Sequence, residues 1–434
     1  MIDYNCIDMK KLAFLLTCVL ALLVAGCEKA QMKNSGFDEP DDNVVPIERH
    51  DIKLTVEQQK LVENGNGFAL NLLKEVAAQE KKSFMVSPLS VEYVLAMLAN
   101  GAAGNNRDEI LGLLGFGHEQ LDFANEFYGY LTEELYGADN TVRLNLANAL
   151  IYNTMYSGLR KDYISKLDNY YDALVKGFDF AKEGQQALSY INNWSKEQTR
   201  GMIPELVSSL DQGIYLILMN ALFFKGTWNS TNKFKESDTK PGDFHLAGDL
   251  MKKENFMYQE ACIPYSYSDY FQIASLKYGN GAFTMDVIVP HEWVTVEEAL
   301  SSLSADYSKS LSSNWIGNVK VKLPVFGTVC DRIGLKLVLN NMGMKDAFDS
   351  AKADFSLMSD TKVWVSDIFQ KSKIKVNEKG SEAAAVTVTF MAGSPGPGFT
   401  PPPVPEVYAT RPFFYAIRET STNTILFMGY YNGN

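Results

Sequence analysis

Residues 378–391 read Glu-Lys-Gly-Ser-Glu-Ala-Ala-Ala-Val-Thr-Val-Thr-Phe-Met, and the fold turns on what this stretch is. Gly380 and Ser381 let the backbone turn. Small residues then give way to alternating β-branched ones. At the two-residue period of a strand, Ser381, Ala383, Ala385, Thr387 and Thr389 share one face, and Glu382, Ala384, Val386, Val388 and Phe390 share the other. These are the side chains of a strand inside a sheet. Yet the stretch runs into a Gly/Pro-rich segment, Gly393 to Pro405, whose prolines cannot donate to a ladder. It reads as a strand that is not always a strand.

The rest of the chain is large enough to supply the sheet. Its 434 residues are 46% hydrophobic and 21% charged, a globular balance that can fill a sizeable core. The formal net charge is −12 with no long basic run, which argues against a nucleic-acid partner and for a solvated acidic surface.

The N-terminus reads as an export signal. Lys10 and Lys11 precede an apolar run from Leu12 to Ala25, too short to span a bilayer comfortably. The run ends in Leu23-Val24-Ala25-Gly26-Cys27, which resembles a bacterial lipobox and implies cleavage before Cys27 and lipidation of that residue. Met9 begins Met-Lys-Lys and reads better as a start than Met1. The expected organisation is a signal at 1–26, an acylated Cys27 with a flexible Pro- and Asp/Glu-bearing tether to residue 50, and one folded domain over 51–434. Of the cysteines that remain, Cys262 and Cys330 lie in apolar-rich segments and read as buried hydrophobes rather than a disulfide or a metal site.

Periodicity predicts a helix over Val56–Glu80 (Leu61, Phe68, Leu72, Val76). A short strand should follow, running into a helix at Ser87-Pro88-Leu89-Ser90, with Ser87 as N-cap and Pro88 at the first helical position. Further helices are expected to Ala103, over Arg107–Leu114, Ile191–Arg200 and Gly334–Met342. Strands are expected at Val142–Asn153, Ile214–Phe224, Val319–Pro324, Phe413–Arg418 and Ile425–Tyr431. Phe271–Lys277 and Phe283–Pro290 should form a hairpin across Tyr278–Ala282. Helices dominate early and strands late, which indicates an α+β fold with large, mostly antiparallel sheets.

Enzyme chemistry is scarce. The four histidines are His50, His118, His245 and His291, and no two have metal-ligand spacing. The HExxH, GxSxG, Walker, GxGxxG and CxxC patterns are absent. Neither a metal nor a cofactor is expected.

From residue 51 to 432 the chain resembles a serpin. Ser87-Pro-Leu-Ser90, Gly101–Leu111, Asn193-Trp194 with Thr199–Ile203, Asn220-Ala-Leu-Phe-Phe-Lys-Gly-Thr-Trp228, Arg411-Pro-Phe413 and Ile425–Gly429 match serpin blocks in order and spacing. The resemblance implies the serpin fold, with about nine helices, three mostly antiparallel sheets and an exposed reactive-centre loop at about 378–411. It implies a suicide inhibitor and not an enzyme. A target serine or cysteine protease attacks a bait bond, and the acylated loop then inserts as a strand in the central sheet. At about 3.3 Å per residue, sixteen inserted residues would carry the protease on the order of 50 Å.

The same resemblance places the hinge at Glu378, Gly380, Ser381, Ala383, Ala384 and Ala385, with an uncharged face to be buried. Counting sixteen residues from Glu378 puts the bait bond at Ser394-Pro395, a poor substrate because of the proline. Counting back from Pro412 gives residue 401, so the loop is about seven residues long on its far side. Phe390, Met391, Ala392, Gly393 and Ser394 remain the bait candidates, and a bond between Met391 and Ser394 is favoured. No Arg or Lys lies between Lys379 and Arg411, which points to an elastase-, chymotrypsin- or subtilisin-like target and away from a trypsin-like one. Ser87, Ser90, Asn220 and Gln370 align with the family's polar shutter, Gln370 standing where a His is common. Helix D, Gln120–Leu135, is acidic, so heparin activation is not expected. The whole reading is a monomeric protease trap, lipid-anchored in a bacterial cell envelope (periplasmic or surface side) or extracellular. The alternative is a non-inhibitory serpin-fold binding or structural lipoprotein.

Overall fold

The structure, a computed structural model, describes residues 46–156, 158–246, 250–311, 317–380 and 403–433. In chain order these form α1 (Val56–Gln79), β1 (Phe84–Val86), α2 (Pro88–Gly101), α3 (Gly104–Leu114), α4 (Leu121–Gly137), β2 (Arg143–Asn153), α5 (Lys161–Tyr171), β3 (Leu174–Phe178), α6 (Phe180–Gln198) and β4 (Leu216–Lys225). Then come β5 (Lys240–His245), β6 (Met251–Cys262), β7 (Tyr265–Tyr267), β8 (Phe271–Lys277), β9 (Phe283–Pro290), α7 (Val296–Ser302), β10 (Asn318–Pro324), β11 (Phe326–Gly334), α8 (Lys336–Met342), β12 (Phe369–Val376), β13 (Glu406–Tyr408), β14 (Phe413–Glu419) and β15 (Ile425–Tyr431). The eight α-helices among the described residues are joined by single-turn 3-10 helices. The class is α+β, as the sequence predicts.

Local chemistry sets several boundaries. Thr55 and Gln58 form a reciprocal capping box at the start of α1. Ser87 Oγ accepts the Ser90 N–H at 3.2 Å and Pro88 occupies the first turn of α2, where its missing N–H costs nothing. The β8–β9 hairpin forms over the predicted spans, its turn carried by Gly279 and Gly281 at positive φ.

Other boundaries differ from expectation. The helix expected at Ile191–Arg200 begins eleven residues earlier, because the Asp179 carboxylate caps it by accepting the Ala181 and Lys182 N–H groups. The helix expected from Gly334 begins at Lys336, Gly334 being the last residue of β11. The helix expected to run through Ala103 stops at Gly101. Cys330 is buried as expected but Cys262, at the end of β6, is exposed, and both are free. Ile47 and Arg49, within the expected tether, already bond to the body, to Asn140 Oδ1 and the Gly281 carbonyl.

Two sheets are continuous. One runs β1-β15-β14-β9-β8-β7 and the other β13-β10-β6-β5. The third, expected as one central sheet, is in two parts: β3-β2-β4 and β11-β12. All pairs are antiparallel except β2/β3 and β10/β13. The main core packs α1 and α2 against β15 of the six-stranded sheet, with α4 against α2, α5 and β2, and a smaller cluster (Ala149, Ile151, Ile191, Trp194, Met219, Ala221) holds α6 on the outer face of β2 and β4.

Candidate functional site

The site is the place where the central sheet is divided. Among the described residues β4 is paired only with β2, over ten residues from Leu216 to Lys225, and β12 only with β11. Among the described residues no backbone hydrogen bond joins β4 to β12. A cleft of about 1080 Å³ lies between them, lined by both strands over their whole length. Its floor is α2, from Ser87 and Ser90 at its start to Leu98 near its end, and Trp194, Leu206 and Val207 line its outer side. Two facing strand edges with unpaired N–H and C=O groups make a template for a further strand.

The direction of that strand follows from the pole where both edges end. Trp228, three residues past β4, donates its indole Nε1–H to the Asn377 carbonyl at 2.9 Å and its backbone N–H to the Lys379 carbonyl at 3.3 Å. β4 and β12 therefore finish side by side and run parallel to each other. Gly380 donates to the Asn377 carbonyl at 3.1 Å and has φ +73°, reversing the chain just beyond β12. A segment continuing from Gly380 down the cleft would be antiparallel to both edges, with well-aligned bonds on each side.

The segment that ends at Gly380 is seated, not loose. A Cβ on Gly380 would fall 2.5 Å from the Trp228 nitrogen and 2.9 Å from the Gly226 carbonyl oxygen, so the close approach and the positive φ both require glycine. Glu378 Oε1 accepts a hydrogen bond from the Thr239 hydroxyl at 2.7 Å. Trp228 is held by stacking on Tyr278, ring centroids 4.6 Å apart and 10° from parallel.

Halfway along the cleft stands a polar set. Gln370 on the β12 rim grips the backbone of Ser87 from both sides, accepting its N–H at 2.7 Å and donating to its carbonyl at 3.2 Å. Ser87 Oγ donates to the Leu426 carbonyl, tying the α2 N-terminus to β15. On the opposite rim Asn220 donates to its cross-strand partner Asn148 at 2.7 Å, and Asn148 in turn donates to the Tyr171 carbonyl. Asn220 Oδ1 is buried with no hydrogen-bond partner among the described residues. Such a group costs about 1–3 kcal/mol while it stays unpaired, and a donor arriving in the cleft would recover part of that.

One turn further along α2, the Glu92 carboxyl is buried against Gly65. Burial pushes its pKa up to about 8, so it is held largely neutral at pH 7.

The structure thus brings Ser87, Ser90, Asn220 and Gln370 together along one cleft and places Glu378 and Gly380 at its mouth. Ser381, Ala383, Ala384 and Ala385 of the expected hinge lie outside the described residues. So do the bait candidates Phe390, Met391, Ala392, Gly393 and Ser394, and the lipidation candidate Cys27. Sequence reasoning missed Thr239, Asn148 and Asn377. It quoted Trp228 within a motif without seeing that it anchors the hinge, and nothing local signals contacts 139 or 149 residues away. No group of three or more His, Cys, Asp or Glu that could hold a metal occurs among the described residues.

Comparison with known proteins agrees with this geometry. The family described as "Serpin (serine protease inhibitor)" matches residues 63–433. Iripin-8 of Ixodes ricinus is 31% identical over 388 residues, 88% of this chain and 95% of its own length. A leukocyte elastase inhibitor of Xenopus tropicalis is 32% identical, covering 80% of this chain and 92% of its own. The crystal structure of the thermophilic serpin tengpin in its native state superposes with a TM-score of 0.76 at 26% identity, covering 89% of this chain and 98% of that one. The chain belongs to the serpin family.

Proposed function

We propose that this protein is an inhibitory serpin that traps serine endopeptidases, and cysteine endopeptidases by the same acyl-enzyme chemistry, through insertion of residues after Gly380 between β4 and β12. The single observation that carries the reading is the pair of unpaired, parallel strand edges flanking a cleft whose mouth holds a reversed Gly380. A target attacking the bait forms a covalent acyl-enzyme. Insertion then drags it away before water completes hydrolysis. The uncharged face Ser381, Ala383, Ala385, Thr387 and Thr389 suits the closed space above Ser87 and Asn220. That composition favours trapping over the non-inhibitory alternative.

The lack of Arg and Lys between Lys379 and Arg411 supports an elastase-, chymotrypsin- or subtilisin-like target, with the bait bond between Met391 and Ser394. One relative is named as a leukocyte elastase inhibitor, which is in keeping with this preference. The signal-like residues 1–26 and Cys27 support a lipid tether to a bacterial cell envelope.

The test is direct. The domain is incubated with elastase, chymotrypsin, subtilisin and a papain-like protease and run on a denaturing gel, and the cut protein is melted. An SDS-stable complex and a raised melting temperature are expected. Simple cleavage by every protease with no rise would refute trapping and leave a binding or structural role.

A further inference from the structure

We propose that an exposed aromatic and acidic patch beside the foot of the reactive loop is a docking site for a basic face of the captured protease. The inference rests on the trapping function proposed above and adds a second point of recognition to it.

The patch is built from the end of β7, the β7–β8 turn and the segment after β9. Trp293 is 72% exposed, Tyr267 55% and Tyr270 45%, an unusual gathering of large rings on one corner of the surface. They are organised rather than scattered. His291 is buried between two of them, its ring 4.7 Å from Tyr267 and 4.7 Å from Trp293, nearly parallel to the latter at 13°. Its Nε2 lies 2.8 Å from the Ser268 carbonyl, and its backbone N–H donates to the Tyr270 carbonyl. The row Tyr267–His291–Trp293 is thereby fixed before any partner arrives, which lowers the entropy cost of using it.

Two observations name the partner. The first is position. Tyr267 is the cross-strand partner of Gln272, and Gln272 Nε2 donates at 2.8 Å to the carbonyl of Glu406, the first residue of β13, where the chain returns from the loop. Glu292, adjacent to Trp293, pairs with Arg411 on the same returning segment. A protease acting on the bait candidates is tethered to this corner by the twelve residues that follow Ser394, up to Glu406. The second is charge. Asp269 and Glu292, the chain neighbours of Tyr270 and Trp293, are exposed, and Glu292 keeps 76% of its side chain exposed despite its pairing with Arg411. Rings with electron-rich faces inside an acidic rim suit Arg and Lys side chains, by cation–π contact and by charge.

The test uses the full domain with whichever of chymotrypsin, elastase or subtilisin forms the SDS-stable complex. The expected result is that a Tyr267→Ala/Trp293→Ala variant, with an unchanged melting temperature, loses about tenfold in second-order association rate at low salt. Its inhibition stoichiometry should not change, because the loop is untouched. Raising the salt, or succinylating the lysines of the protease, should slow the wild type and erase the difference. Association within twofold of wild type would overturn the proposal while leaving trapping intact. The same null result with Trp293 fluorescence quenched by soluble envelope glycan would assign the patch to saccharide instead. Failure of every protease to form a complex would overturn this proposal and the trapping function together.

Discussion

Replacing Glu92 with Gln should make this protein more stable at alkaline pH and leave it unchanged in acid. The carboxyl is buried, its pKa is raised from 4.5 to about 8, and burial is the cause, with no cation engaged among the described residues. The groups that share its surroundings, Tyr93 on α2 and Tyr128 on α4, are themselves buried, and their pKa values are raised too. Below about pH 4.5 folded and unfolded chains both carry the proton, and Glu92 places no pH-dependent load on the fold. As the pH rises to 8 the unfolded chain releases its proton while the folded one keeps it, so folding is progressively disfavoured. At 1.36 kcal/mol per pKa unit the ceiling is about 5 kcal/mol above pH 8, and relaxation of the surroundings brings the expectation to roughly 2–5 kcal/mol. Urea unfolding midpoints of wild type and Glu92→Gln should coincide near pH 4, diverge through neutrality and stay separated by a constant amount above pH 9. Comparing the two proteins cancels every other titrating group. A gap that does not depend on pH, or one that narrows as pH rises, would refute the assignment.

Two further perturbations probe the hinge. Thr239→Val removes the hydroxyl that holds Glu378, a charge-assisted bond worth about 1–2 kcal/mol at a half-exposed site. Uptake of a synthetic peptide copying residues 381–392, followed by native gel, should quicken severalfold, and unchanged uptake would show that Glu378 keeps its seat during insertion. Gly380→Ala forces a side chain into the Trp228 backbone at positive φ and should cost about 1–3 kcal/mol of native stability by urea unfolding. A neutral result would mean that the reversal at Gly380 is not needed.

What was legible in the sequence depended on range. The β8–β9 hairpin, the α2 N-terminus and β15 were readable because a turn, a cap or an apolar run states each of them locally. β5, β6, β11 and β12 were not. β12, Phe-Gln-Lys-Ser-Lys-Ile-Lys-Val, alternates lysines outward, and its strand character comes from β11, paired across an intervening helix and a long connection. The first half of α6 was not read: the polar run Lys182–Gln186, with Gly184 in it, carries no apolar period, and the helical φ/ψ run itself breaks at Glu183. The shutter residues were found one by one through family resemblance, but their division between two rims was not. β4 alone reads as an ordinary central strand, and only its missing neighbour reveals the site.

The open sheet also sets what the proposed insertion would need. Eight residues of entering strand, matching the length of β12, would make about sixteen ladder bonds, since each offers one N–H and one C=O. At a net 0.5–1 kcal/mol each they supply roughly 8–16 kcal/mol. Ordering eight backbone residues costs about 1–2 kcal/mol apiece, roughly 8–16 kcal/mol again. The ladder alone therefore leaves insertion near balance, and the outcome passes to side chains in the cleft. Its lining includes Leu218, Leu222 and Phe224, only partly buried now, and the unpaired Asn220 Oδ1. Covering those groups is the remaining gain, and only a strand whose inward face is small and uncharged can collect it. The alternation from Ser381 to Thr389 meets that demand, so the trapping proposed for this chain would rest less on the bait bond than on the fit between those side chains and a cleft with Ser87 at its floor and Asn220 and Gln370 on its two rims.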